Sequence, residues 1–232
     1  MKFIKLYESF EDIDSICEKY GIKNYTINSD GIVDVNGSVN LSGKDLTKLP
    51  LKFGKVSGYF NCHNNNLITL EGCPLSLGSS FNCSSNKLTT LKDSPQSVGG
   101  YFDCSYNNLI SLEGSPQSVL DGYFQCAGNY LTTLEGGPKS VGGYFYCQEN
   151  ELKDLYGFPE FFDRDINYYF NPVSEILDLF EDRLGKVIDL LNEYGVIQQD
   201  GKLVILDRLE EVFHILNMEI PEEIKLANYE VY

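Results

Sequence analysis

The 232-residue chain carries 18 Lys and Arg against 34 Asp and Glu, a net charge of -16, with 42% apolar and 13% aromatic residues. That apolar content is enough to bury a sizeable core and excludes disorder. The acidic balance excludes direct binding to nucleic acid or to an anionic membrane surface, because both need compensating Lys and Arg. Residues 160–232 hold 17 acidic side chains against 6 basic ones, so most of the charge sits in the last third. A basic partner, or solubility alone, accounts for such a surface. No apolar run approaches the roughly 18 residues needed to span a bilayer. The opening Met1-Lys2-Phe3-Ile4-Lys5-Leu6-Tyr7-Glu8 is too short and too mixed for a secretory leader. The expectation is a cytoplasmic chain whose seven cysteines are reduced thiols rather than a disulfide framework.

In chain order, Ser9 is an N-cap with Asp12 three residues on, and Ile13, Ile16, Cys17 and Tyr20 form an apolar stripe ending at Gly21. This predicts a helix of about three turns. Tyr25-Thr26-Ile27-Asn28, a Ser29-Asp30-Gly31 turn and Ile32-Val33-Asp34-Val35 predict a hairpin.

The main signal follows. Cys62, Cys83, Cys104, Cys126 and Cys147 are spaced by 21, 21, 22 and 21 residues, and each begins C-x-x-N-x-L-x-x-L. A period of roughly 20 to 29 residues with this consensus is the leucine-rich-repeat signature. Weaker copies flank the run at Leu41/Leu46/Leu49 and Tyr168/Asn171/Val173/Ile176, giving seven repeats with atypical ends. A phenylalanine lies two residues before each cysteine (Phe60, Phe81, Phe102, Phe124, Phe145), so Phe and Cys share the inward face of a short strand. Each Asn three residues after Cys (Asn65, Asn86, Asn107, Asn129, Asn150) stands where backbone groups leave the ladder, and its amide satisfies them. Prolines 74, 95, 116, 138 and 159 and short glycine-rich segments return the chain too briefly for a helix, which predicts tight curvature.

Beyond the repeats, Pro172 to Tyr194 has helical apolar spacing, divided at Gly185. Val196-Ile197 and Leu203-Val204-Ile205 make a hairpin about Asp200-Gly201, a helix runs from Asp207 to Asn217, and Ile224 to Tyr232 is extended. The fold class is an α/β repeat: a leucine-rich-repeat solenoid of about seven repeats with a parallel sheet. Residues 1–36 form an N-terminal helix-hairpin cap, 37–176 the solenoid and 177–232 an acidic C-terminal α/β cap.

With the repeats placed, the chain resembles leucine-rich-repeat proteins of large tailed bacteriophages and prophages, whose unit reads G-x-F-x-C-x-x-N-x-L-x-x-L-x-G-x-P. The resemblance is carried by Tyr25 to Leu41, by Gly58-Tyr59-Phe60-Asn61-Cys62 and its successors, and by Lys186 to Arg208. Met1 to Phe10 resembles short N-terminal segments of unrelated phage proteins. The resemblance implies a solenoid of phage origin, located in the cytoplasm of an infected bacterial cell or in the virion.

Residues alternating with Phe and Cys line the opposite, concave face: Tyr59/Asn61/His63, Ser80/Asn82/Ser84, Tyr101/Asp103/Ser105, Tyr123/Gln125/Ala127 and Tyr144/Tyr146/Gln148. Tyr59, Tyr101, Tyr123 and Tyr144 align as a ridge. Tyrosine offers large contact area, few rotors and a polar tip, and is enriched at binding hot spots; it also suits exposed strand positions for reasons of packing alone. A cysteine ladder spaced about 5 Å apart in single file has no tetrahedral ligand spacing, so the thiols read as buried core rather than as a zinc site. Cys17 and Cys73 lie outside the ladder, and Cys73 is the candidate reactive thiol, although no neighbour lowers its pKa. His63 and His214 are far apart in sequence and accompany no hydrolase or metal motif.

The expected function is therefore a non-enzymatic protein-protein interaction module. It binds a host or defence protein through Tyr59, Asn61, His63, Tyr101, Asp103, Tyr123, Gln125, Tyr144 and Tyr146, without cofactor or metal. Two alternatives stand beside it. One is a virion-associated structural component. The other is an acidic nucleic-acid mimic that inhibits a host DNA-binding enzyme through Glu175, Asp178, Glu181, Asp182, Asp189 and Glu193.

Overall fold

The computed structural model describes residues 13–162, 164–180, 184–198 and 201–232. Seven parallel strands stack in register: Val39–Asn40, Phe60–Asn61, Phe81–Asn82, Phe102–Asp103, Phe124–Gln125, Phe145–Tyr146 and Ile166–Asn167. Each inward residue faces its counterpart one turn on, from Val39 opposite Phe60 through to Phe145 opposite Ile166. The chain is a parallel β-solenoid of the leucine-rich-repeat type, with the expected seven strands and helices at its ends.

Packing explains the strict repetition inside. Phe60, Phe81, Phe102, Phe124 and Phe145 are fully buried, and their ring centroids follow one another at 6.1, 5.2, 5.4 and 5.6 Å. Beside them run the five ladder cysteines and the paired leucines, all excluded from solvent apart from a trace at Leu155. Because every turn buries the same side chains against the next, one repeat has no core without its neighbours.

The asparagines close the turns. Asn107 Nδ2 donates to the carbonyls of Cys83 and Cys104 at 3.1 Å, while its Oδ1 accepts the Leu88 N–H at 3.0 Å. Asn65, Asn86, Asn129, Asn150 and Asn171 make the equivalent set across their own boundaries. These amides stand in for the ladder partners that the backbone loses as it leaves the strand.

The return segments are not structureless. They form a second parallel stack on the far side of the core: Val33–Val35, Phe53–Val56, Ser76–Leu77 and Ser97–Val98 in one sheet, edged by the antiparallel Tyr25–Ile27, and Ser118–Val119, Ser140–Val141 and Phe161–Phe162 in another. Close backbone approach there needs glycine: a Cβ on Gly99 would meet the Gly78 carbonyl, and one on Gly142 the Leu120 carbonyl. Strands on both sides share the same spacing of about 4.8 Å. One central repeat is a residue longer than its neighbours: the extra residue falls between Ser118 and Phe124, where Leu120 is exposed, and the second stack is split just upstream, between Ser97–Val98 and Ser118–Val119.

At the N-terminal end, helix α1 (13–20) buries Cys17 with Ile13, Ile16 and Tyr20 against the first turn. Its end matches the predicted stop. Gly21, at a φ of 66°, lets its N–H bond the Glu18 carbonyl and the Ile22 N–H bond the Cys17 carbonyl. The proposed Ser9 cap lies outside the described residues. At the C-terminal end, Ser174–Leu177 (α2) runs into a 3-10 turn at Asp178–Phe180, followed by Leu184–Glu193 (α3) and Leu206–Ile215 (α4). Gly185 does not divide the helical stretch, as its sequence position suggests. It is the second residue of α3. The predicted hairpin forms between Ile197–Gln198 and Leu203–Val204, and Glu230–Val231 adds a parallel third strand.

Candidate functional site

The outward positions of the seven-stranded sheet form three rows along the solenoid. The first row, one residue before each strand's first inward residue, reads Ser38, Tyr59, Ser80, Tyr101, Tyr123, Tyr144 and Asp165. Tyr101 and Tyr123 stack at 4.6 Å with ring planes 5° apart, Tyr123 meets Tyr146 edge-on at 5.9 Å, and Tyr144 stacks on Tyr146 at 5.7 Å. The structure thus gathers four predicted tyrosines into one continuous cluster. Tyr59 stands apart: among the described residues it makes no ring contact, because Ser80 occupies the intervening strand. Serine at this position has its own use, since Ser38 and Ser80 Oγ accept the N–H groups of Tyr59 and Tyr101 at 3.2 Å.

Clustering changes the tyrosines chemically. Burial, with Tyr101, Asp103 and Tyr146 adding to it, pushes the Tyr123 hydroxyl up to about 12, so it stays a neutral donor and acceptor. At the far end, the Arg164 guanidinium lies over the Tyr144 ring at 5.4 Å.

The middle row, Asn40, Asn61, Asn82, Asp103, Gln125, Tyr146 and Asn167, is in register across the sheet. Here the polar side chains fold back on their own strand. Asn40, Asn61, Asn82 and Asn167 each accept, through Oδ1, the N–H two residues on, at 2.9 to 3.3 Å. Asp103 does the same with the Ser105 N–H at 3.0 Å and its hydroxyl at 2.6 Å. The outward register implies exposure for Asp103, yet it is only 8% exposed. Burial raises its carboxyl above the usual range, against the lowering effects of Ser105, His63 and Ser84.

The third row is His63, Ser84, Ser105, Ala127, Gln148 and Tyr169. His63 donates its Nδ1–H to Asn61 Oδ1 at 2.8 Å. Ala127 is fully buried, and Gln148 Oε1 is a buried acceptor with no hydrogen bond. Tyr169, 54% exposed, extends this row beyond the residues singled out in the sequence; continuing the register by one more turn gives it. Next to it Phe170 is 80% exposed at a φ of 60°, a backbone region that a bulky residue rarely occupies. Arg164 has no sequence signal, because its partner lies on the preceding turn.

The thiols take no part in this face. All seven are free and buried. Desolvation pushes Cys62 up to about 12 and the other ladder thiols upward too. Cys73, the candidate reactive thiol, is also buried, and its pKa is raised well above the ordinary value, so it is among the least reactive. Within the acidic stretch of the cap, Glu175 accepts from the Asn228 backbone and side-chain amides at 3.0 and 2.6 Å, and Asp178 accepts from the Tyr168 hydroxyl at 3.0 Å. Glu181 and Asp182 lie outside the described residues.

Comparison with protein-family models, curated proteins and solved structures finds no match to the chain.

Proposed function

We propose that the chain is a non-enzymatic protein-interaction module and that its partner docks on the tyrosine cluster of the seven-stranded sheet. The observation that carries this reading is that the fold does not require the tyrosines. Ser38 and Ser80 occupy the same position on the same backbone, yet Tyr101, Tyr123, Tyr144 and Tyr146 gather on successive strands. Such a group has large area, little rotamer entropy to lose and hydroxyls at its edge, the features of a binding hot spot. The phage setting, with a host or defence protein as the partner, is supported by the resemblance of the repeat unit alone. The nucleic-acid-mimic reading is weakened because Glu175 and Asp178 are engaged within the cap.

The test replaces Tyr101 and Tyr123 with lysine. Capture of the partner from cells that naturally make the chain should be abolished while the melting temperature changes by only a few degrees. Unchanged capture would overturn the proposal. Capture that falls steeply between about 0.05 and 0.5 M salt but ignores the tyrosines would favour the acidic cap instead.

A further inference from the structure

We propose that Asp103 and the uncovered ring face of Tyr101 form a seat for a guanidinium group, so that the partner is recognised through an arginine on its surface. The inference rests on the tyrosine face being the docking surface and specifies what it reads.

The charge on Asp103 is surplus to the fold. Asn40, Asn61 and Asn82 occupy the same position on their strands, and each accepts the same backbone N–H; Asn40 and Asn82 also accept the serine hydroxyl, at 2.7 Å. An amide therefore accepts the same own-strand bonds that the carboxylate accepts from Ser105. A carboxylate so nearly excluded from solvent bears a desolvation cost which the amide avoids. Among the described residues no Lys or Arg forms an ion pair with it, and the one basic side chain acting on it is His63, two strands away. The site is thus a buried negative charge without a strong counter-ion, placed at the middle of a binding face.

The neighbouring aromatic fixes the shape of the missing cation. Tyr101 and Asp103 project from the same face of one strand. One face of the Tyr101 ring is covered by Tyr123. On its other side the register places Ser80 and then Tyr59, two strand spacings or about 10 Å away, so the next tyrosine along the row is a strand further off. A planar, weakly hydrated cation can lie against the ring there while its N–H groups reach the carboxylate; an ammonium has neither property. The chain already uses this pairing on the same cluster, where the Arg164 guanidinium lies over Tyr144. The net charge of -16 also draws a basic surface towards the molecule before any specific contact forms.

The experiment uses the full chain and three defined probes, hexa-arginine, hexa-lysine and a neutral hexa-glutamine peptide, titrated by calorimetry at about 0.15 M salt. Asp103→Asn keeps the hydrogen bonds seen at Asn82, so it should melt at or slightly above the unsubstituted chain. It should weaken hexa-arginine binding about tenfold or more. Glu113→Gln, an exposed acid elsewhere on the solenoid, should change it by less than about twofold. Hexa-arginine should also bind more tightly than hexa-lysine, with hexa-glutamine showing no binding. Equal effects of Asp103→Asn and Glu113→Gln, or equal binding of the two basic peptides, would mean attraction by net charge alone and would overturn the seat. The docking reading fails separately, if the tyrosine-to-lysine variants keep natural partner capture.

Discussion

The inner and outer faces of one sheet differ in how far they repeat. Inward, Phe and Cys recur in every one of the five central strands and the asparagines recur at every boundary. Outward, the same strands carry Tyr or Ser, then Asn, Asp, Gln or Tyr, then His, Ser, Ala or Gln. Inside, a side chain must fill a volume bounded by the turns above and below, so any departure costs packing or leaves a buried amide unpaired. Outside, the strands stay in register whether Ser80 or Tyr101 stands at the position. What varies there is free to answer to something other than the fold, which is why the departures from repetition mark the candidate site.

That contrast breaks most visibly at high pH. The five ladder thiols stay protonated in the folded state, Cys62 up to about 12, whereas an unfolded chain ionises them near the ordinary value of 9.0. Above that value only the unfolded state releases protons, so the stability contributed by these thiols is complete below it and drains away as pH rises towards 12. Each thiol removes about 1 kcal/mol between pH 9 and pH 10, so the five together remove about 5 kcal/mol. Urea melts followed by circular dichroism should show this fall, with a shallower slope in Cys104→Ala. A pH-independent midpoint up to pH 10 would contradict the buried ladder.

Next in size are interior truncations. Phe102→Ala should cost about 3 to 5 kcal/mol, because both stacking neighbours lose contact and a cavity remains. Asn107→Ala should cost about 2 to 4 kcal/mol, because the carbonyls of Cys83 and Cys104 and the Leu88 N–H lose their partner at once. Both are read from denaturation midpoints. On the outer face, Asp103→Asn should move stability by no more than about 0.5 kcal/mol. A large loss there would erase the distinction between the two faces.

The same distinction decides what the sequence reveals. The repeat phase, the Phe and Cys face and the asparagine bonds can be read from residue spacing because packing forces identical residues to recur. The second stack of strands cannot, since two-residue strands such as Ser97–Val98 are too short to show alternation. Outward register places Tyr101, Asp103 and Tyr123 on one face, but which side chains touch depends on neighbours a full turn of the solenoid away. Thus Tyr59 drops out of the ridge where Ser80 intervenes, Asp103 is buried at a nominally exposed position, and Arg164 joins the cluster from a return segment. Gly185 reads as a breaker because glycine disfavours helix interiors, but in a first turn it sits where no intrahelical N–H partner is required.

The most direct test of the account places a photo-crosslinking amino acid at Gln125, between Asp103 and Tyr146 on the outer face, and separately at Glu210 on the exposed side of α4. Irradiation in cells that naturally make the chain should yield one discrete adduct from position 125 and none from position 210. An adduct from position 210 alone, or none from position 125, would contradict docking on the tyrosine face.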